Sequence, residues 1–400
     1  MREQVVRDMI RRFCFRNFCC FKEGVEIDFA LGNGVPEDVR MGRTCATVMG
    51  IKGANGSGKT NILKALGWLK FFCTKSADHD VSDTIDIDTF FDNKDNTDFY
   101  LEFETQGTAY VYQLTLSNKQ ILSERIQRKR EGGRKTQLLL REKNTIQQVN
   151  SELAEIKSIE LRSDASVISS MKKYKFKSEM DDLEAIYAFF IKIITNVNKF
   201  GYVDLQLDLN ETCRQYLVGR GRLDFAKKII AEADNSLVDI EIKDRIDEND
   251  NVVYYPVFIH SNQGVRYSLR FSDESSGTKA LFKKLNIYSL VLNSGGFLAM
   301  DEFDTHLHAM VLPVLIDLFQ NPETNPHGAQ LLFTAHNTEV IDKLGKYRTI
   351  LVNKEDGESY CYRLDEISGS MIRNDRPISP LYLDGKIGGV PVELVREGRA

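Results

Sequence analysis

The segment Gly53-Ala54-Asn55-Gly56-Ser57-Gly58-Lys59-Thr60 constrains this chain more than any other feature. It satisfies in full the pattern G-x-x-x-x-G-K-[ST], whose glycines let backbone amides curl around phosphate groups. A short apolar, partly β-branched run precedes it (45–51, CATVMGI). After it, Ile62, Leu63, Leu66, Leu69 and Phe72 fall near helical spacing. A strand, a phosphate loop and a helix are therefore expected in that order, with the positive end of the helix dipole adding to the amides. Gly53, Asn55, Gly56, Ser57 and Gly58 are expected to supply the cradle for the phosphates of a nucleotide. Lys59 is expected to reach the β- and γ-phosphates, and the Thr60 hydroxyl to ligate Mg²⁺.

Composition sets the frame. The 400 residues include 53 Lys+Arg and 58 Asp+Glu, for a formal charge of −5, with 42% hydrophobic residues and only 8 prolines. Those values exclude wholesale disorder, a collagen-like repeat and a disulfide-stapled miniprotein. At roughly 150 residues per domain, two to three domains are expected. The mild acidity argues against a surface coated in nucleic-acid-binding charge but leaves room for a local basic patch. Seven scattered cysteines, without a Cys-x-x-Cys pair, suit a reducing cytoplasm rather than a disulfide framework or zinc finger. The basic N-terminus is followed by polar residues rather than the apolar stretch of a secretory signal. No segment reaches the roughly 20 apolar residues that span a bilayer, so no membrane partner is expected.

Two later strands carry chemistry. Phe297-Leu298-Ala299-Met300-Asp301-Glu302 is an apolar run that delivers two carboxylates at its C-terminal end. Alone it reads as a strand and an acidic turn; with a phosphate loop upstream, Asp301 becomes the Mg²⁺ carboxylate and Glu302 the group that polarises the attacking water. Gln330 to Phe333 forms a second apolar run, which ends at Thr334-Ala335-His336. A lone histidine is usually structural, but at this strand tip His336 is a candidate for the γ-phosphate. The helix-patterned stretch 310–319 separates the two runs, an order that suggests a parallel sheet. Glu274-Ser275-Ser276-Gly277-Thr278-Lys279 precedes another helix pattern, and Ser275 and Gly277 could present amides to an anion or form an ordinary cap.

Elsewhere, 99–103 and 109–116 alternate like antiparallel strands around Gly107, 183–200 reads as an apolar helix, and 349–353 with 359–364 as a hairpin. From 119 to 143 nine cations face three glutamates, with Gly132-Gly133 as a turn. That stretch is either a solvated hairpin or a contact for DNA, RNA or an acidic partner. Asp304, His306, His308 and His336 have metal-ligand chemistry, but the nucleotide roles already account for most of them.

The order of phosphate loop, long insert, Ser-Gly motif, Asp-Glu strand and terminal histidine resembles the ABC-type ATPase heads of the SMC, RecF and OLD group. Phe15-Arg16-Asn17-Phe18, the run from Asp301 to His308, and Leu381-Tyr382-Leu383-Asp384-Gly385-Lys386 are similar to short-armed AAA-family ATPases of bacterial phage defence. AbiL, RloA, AriA of PARIS and PtuA of Septu belong to that neighbourhood. The resemblance implies an α/β fold, a mixed sheet with flanking helices carrying an inserted, mainly helical lobe. It divides the chain into a first half-head (1–118), a basic hairpin and helical arm (119–250) and a second half-head (251–400). It implies that Lys59 and Thr60 are Walker A, and Asp301 and Glu302 are Walker B with its catalytic glutamate. Ser275 and Gly277 match the signature, although Glu274 and Thr278 depart from it. His336 matches the switch histidine, and His308 stands where many relatives carry a D-loop aspartate. Arg16 and Asn17 fall on a segment that approaches nucleotide, while no Q-loop glutamine is identifiable between Trp68 and Phe103.

By the same resemblance, nucleotide is sandwiched between two protomers in a dimer or higher oligomer. The implied function is a cytoplasmic ATPase of phage defence that scaffolds, senses for or releases a toxic effector such as a nuclease encoded nearby, with possible contact to DNA, RNA or a phage protein. A RecF- or SMC-like repair ATPase that clamps DNA is the alternative.

Overall fold

The computed structural model describes residues 8–390 apart from 82–83, 130–133, 204, 206–207, 306, 369–370 and 374–375. Six strands form one sheet in the order Glu358–Arg363, Thr349–Glu355, Val48–Gly53, Gln330–Thr334, Phe297–Met300, Ile193–Thr195. All neighbours are parallel except the first pair, the hairpin expected around Asp356-Gly357. Alternate residues of these strands enter opposite cores: Met49, Ile51, Ala299, Leu332 and Val352 on one face, Val48, Leu298, Met300, Leu331 and Phe333 on the other. A parallel sheet covered on both faces explains why its strands read as unbroken apolar runs.

The first face packs on the helix Lys59–Lys75, which buries Ile62, Leu63, Leu66, Trp68, Leu69 and Phe72. Beyond this helix lies a seven-stranded antiparallel sheet, ordered Val25–Asp28, Met9–Arg16, Thr97–Thr105, Thr108–Leu116, Ile121–Lys129, Lys135–Glu142, Thr145–Val149. Trp68 stacks on Phe99 of that sheet with ring centroids 5.1 Å apart, so the helix is clamped between the two sheets. The sheets are also joined through Gln330, whose Oε1 accepts from the Ile10 amide at 2.6 Å while its Nε2 donates to the Ile10 carbonyl at 2.9 Å.

The expected α/β class, a mixed sheet with flanking helices, is the one observed. Two expectations inside it change. Residues 121–149 do not begin an insert but continue the antiparallel sheet; their Gly132-Gly133 turn lies outside the described residues. Two of their cations face inward: Arg141 is fully buried against Glu124, and Arg128 pairs with Asp182 and Glu152. Lys119, Lys129, Arg134, Lys135 and Lys143 are exposed. The helix expected over 183–200 occupies Asp181–Ile191 and gives way to the edge strand Ile193–Thr195. The β-branched run Ile193-Ile194-Thr195 favours the pleat over a helix.

On the second face, helices Ser276–Ser294, Val311–Gln320 and Glu339–Leu344 cover the parallel sheet. The helices Leu209–Val218 and Arg222–Ala233, with the three-stranded sheet Leu237–Ile246, Val252–Asn262 and Val265–Arg270, pack onto helix Ser276–Ser294. Leu364, Ile372, Ile378, Tyr382 and Ile387 form a small third core with Ile341 and Leu351. Among the described residues no helix is long and apolar enough to cross a membrane.

Candidate functional site

Three neighbouring parallel strands end at the same place, and their C-terminal ends carry the phosphate loop, the carboxylates and the histidine. The loop leaves strand Val48–Gly53 and turns into helix Lys59–Lys75. Two glycines are required by geometry. A Cβ on Gly53 would lie 2.5 Å from the Val352 carbonyl, and Gly58 has φ of 107° with Cys20 Sγ 2.6 Å from where a Cβ would stand. No side chain caps the helix N-terminus, so its first amides stay available. Ser57 Oγ is buried without a hydrogen-bond partner. These open donors fit a phosphate group.

Lys59 Nζ donates to the carbonyls of Gly53 and Ala54, both at 2.9 Å. Burial pushes its ammonium down from the ordinary lysine value, and Asp301 and Glu302 pull the other way. Thr60 Oγ1 donates to Asp301 Oδ2 at 2.8 Å, while Thr334 Oγ1 donates to the other oxygen, Oδ1, at 2.6 Å. A hydroxyl and a carboxylate, both hard oxygen donors, suit Mg²⁺, which takes one or two protein ligands beside phosphate oxygens.

Asp301 is further fixed through its backbone. Asn196, just past the edge strand, donates Nδ2 to the Asp301 carbonyl at 2.9 Å and accepts the Asp301 amide on Oδ1 at 2.7 Å. Glu302 follows in the left-handed region with φ of 48°, a conformation that costs a non-glycine residue of order 1 kcal/mol or more and concentrates at functional sites. Thr334 Oγ1 accepts the Glu302 amide at 2.9 Å and the Phe303 amide donates to the Thr334 carbonyl at 2.9 Å, so the histidine strand holds this turn. The Glu302 carboxylate remains half-exposed, with His336 Nε2 at 3.9 Å from Oε1 and Thr305 Oγ1 at 3.2 Å from Oε2.

The loop 335–337 is held from two sides. Asp304 Oδ2 accepts the amides of His336 and Asn337, both at 2.8 Å. Lys52, only 3% exposed, donates Nζ to the carbonyls of Ala335 (2.9 Å), His336 (2.7 Å) and Asn337 (3.3 Å). Burial pushes the Lys52 ammonium down to about 8, against the pull of Asp304.

Of the residues expected from sequence, Gly53, Asn55, Gly56, Ser57, Gly58, Lys59, Thr60, Asp301, Glu302 and His336 are thus clustered by the loop and three strand ends. Ser275 and Gly277 are not brought there. Ser275 caps helix Ser276–Ser294, its Oγ accepting the Thr278 amide at 3.0 Å. Both residues line a separate pocket of about 380 Å³ with Thr278, His308, Met310 and Ile229, to which no phosphate-loop residue contributes. The departure at Glu274 has a local reason, since its buried carboxylate meets His260 Nε2 at 2.7 Å. The contacts of Arg16 and Asn17 also run elsewhere. Arg16 pairs with Asp98 at 2.8 Å, and buried Asn17 bonds the Asp95 carbonyl and the Phe90 amide. It is Cys20, a few residues on, that touches the loop and accepts from Asn61 Nδ2 at 3.0 Å. His306 lies outside the described residues. Asn196, Thr334 and Lys52 are site residues that the sequence alone did not single out, and Asp304, noted there only for metal-ligand chemistry, instead holds the amides of His336 and Asn337.

Residues 48–342 match the family described as "AAA domain, putative AbiEii toxin, Type IV TA system". The chain belongs to this family. The matched residues span the phosphate loop, the carboxylate pair and the histidine. Among curated proteins no sequence matches. Among solved structures, the chain is similar to an SMC head bound to the C-winged helix domain of ScpA, at 13% identity over 88% of this chain and 96% of that one, with a TM-score of 0.47. It is also similar to an SMC head with extended coiled coil bound to the C-terminal domain of ScpA, from Pyrococcus furiosus (13% identity, 90% and 97% covered, TM-score 0.44). The third is the recombination mediator RecF with ATPrS (14% identity, 89% and 98% covered, TM-score 0.35).

Proposed function

We propose that this protein is the ATP-hydrolysing component of a bacterial anti-phage defence system, in which nucleotide-dependent assembly holds or releases a toxic effector such as a nuclease. The observation that carries the hydrolytic half is one cluster: Thr60 bonded to Asp301, with Glu302 and His336 facing each other on the adjoining strand ends. In this reading the amides of Gly56, Ser57, Gly58 and Lys59 and the ammonium of Lys59 bind phosphate oxygens. Thr60 and Asp301 hold Mg²⁺, which when bound supplies neutralisation of phosphate charge. Glu302 orients water and accepts its proton on the carboxylate, and His336 Nε2 steadies that carboxylate.

The defence half draws support from the family's description and from the motifs around Phe15, Asp301 and Leu381. The separate position of Ser275 and Gly277 suits a composite site, in which a second protomer offers them to the nucleotide held by the first. Arg16 and Asn17 act in this picture by shaping the turn that carries Cys20.

The test is Glu302→Gln in the full chain. We expect ATP binding to persist while turnover falls by about 100-fold or more, the range of general-base catalysis. We also expect the variant to retain, in ATP, a co-purifying product of an adjacent gene whose toxicity is restrained until infection. A Glu302→Gln protein that closes on duplex DNA with ATP, and holds no protein partner, replaces the defence reading with that of a DNA-clamping repair ATPase.

A further inference from the structure

Lys52 is the single charge in the buried run 45–52, and it immediately precedes the phosphate loop. A lysine so deeply buried needs a reason, because desolvating an ammonium is costly unless it is fully hydrogen-bonded. The reason here is geometric. All three N–H donors of an ammonium find carbonyls, and the three carbonyls belong to consecutive residues 335–337. The ring of Tyr382, from the Leu381–Lys386 motif that the nucleotide site does not use, lies 5.6 Å from Nζ and adds a cation–π contact. Asp304 takes the amides of the same loop on its Oδ2. Carbonyls on one side and amides on the other are therefore both tied, to elements that carry the two halves of the site: Lys52 joins Gly53, and Asp304 lies two residues beyond Glu302.

We propose that Lys52 is a positioning residue that makes the phosphate-loop strand and the histidine loop move as one body, and so sets where His336 stands against Glu302. This rests on the ATPase reading above. It goes beyond it by giving the strand before the loop a role in turnover that phosphate binding does not need. Phosphate is bound by the loop itself and Lys59, so loss of Lys52 leaves affinity in place. Beyond the Thr334 contacts with Glu302 and Phe303, the carbonyls of 335–337 themselves are held, among the described residues, by Lys52.

The experiment compares wild type, Lys52→Met and Lys52→Gln by two independent readouts. The first is hydrogen–deuterium exchange of 335–338 in nucleotide-free protein, which reads the clamp whether or not the protein turns over. The second is MgATP affinity against kcat. We expect Lys52→Met to exchange faster at His336 and Asn337, to bind MgATP within about threefold of wild type, and to lose about 10- to 100-fold in kcat, the cost of a misplacement near 1 Å. Lys52→Gln keeps two donors and folds even if the methionine variant does not; its losses fall between the two. Unchanged exchange at 335–338 in either folded variant overturns the clamp. Faster exchange with unchanged kcat overturns its role in turnover. If wild type binds but never hydrolyses ATP, the ATPase reading falls and takes the catalytic role with it, while the exchange result still decides the clamp.

Discussion

Glu124 and Arg141 in the antiparallel sheet and the charged residues at the parallel strand ends are two buried clusters finished in different ways. Around the pair every group is answered. Arg141 Nη1 meets Glu124 Oε2 at 3.2 Å and the Ala165 carbonyl at 2.8 Å, Tyr112 Oη donates to Glu124 Oε1 at 2.9 Å, and the Val167 amide closes the set. Both side chains are wholly removed from solvent. At the strand ends Asp301 has both carboxylate oxygens bonded, but Asp304 Oδ1 is buried without a partner and the outward groups stay open. Ser57 Oγ has no partner, the helix amides have no side-chain cap, and the Glu302 and His336 side chains are about half exposed. Burial with all partners present makes a staple; burial with donors left over makes a receptor. The comparison also separates two kinds of basic residue that look alike in the sequence.

Breaking the staple should give the largest effect. Arg141→Met leaves a buried carboxylate without its cation and is expected to cost about 3–5 kcal/mol in urea denaturation. Adding Glu124→Leu should return most of it, and ATP affinity should not change in either folded protein. A cost under about 1 kcal/mol for Arg141→Met would put the pair in the class of ordinary surface bridges. Lys59→Ala should do the reverse. Stability falls by only about 1–2 kcal/mol, for the loss of its bonds to the Gly53 and Ala54 carbonyls. ATP affinity by calorimetry falls about 10- to 100-fold, the worth of a charge-assisted hydrogen bond. Ser57→Ala sharpens the contrast with the smallest change. Its hydroxyl makes no bond in the free protein, so thermal stability should hold within about 0.5 kcal/mol while ATP affinity drops about 2- to 10-fold. A clear loss of stability from Ser57→Ala would mean that the hydroxyl is part of the staple and not of the receptor.

What could be read from the chain follows from how local each signal is. The loop from Gly53 to Thr60 is contiguous, and the Asp301–Glu302 pair sits at the end of an apolar run, so both are visible in a few residues. Asn196 was hidden because 183–200 looked like one apolar helix; the β-branched triplet Ile193-Ile194-Thr195 was the available sign of a strand, and a polar residue at a strand's end is where a site residue would stand. Lys52 was visible as a lone charge in an apolar strand, but its three acceptors are backbone carbonyls more than 280 residues away, which side-chain patterns do not reveal. Charge counting over 119–143 placed Arg128 and Arg141 on a patch, because the partners Asp182 and Glu124 are set by sheet packing and not by neighbours in sequence. Ser275 and Gly277 lie in a pocket to which no phosphate-loop residue contributes, and in the proposed composite site a second protomer would supply them.

The pairing of Gln330 with Ile10 has a consequence for how the protein comes into being. The two residues are 320 positions apart, so the second strand of the antiparallel sheet cannot settle against the parallel one until most of the chain has left the ribosome. At about 5–20 residues per second that interval is tens of seconds. For most of it, until residues 297–301 are made, the phosphate loop exists as sequence without its carboxylate strand, and the histidine strand follows later still. A copy that stops short of Asp301 lacks the carboxylate bonded to Thr60 and the histidine beside Glu302, so the proposed site is completed only late in synthesis.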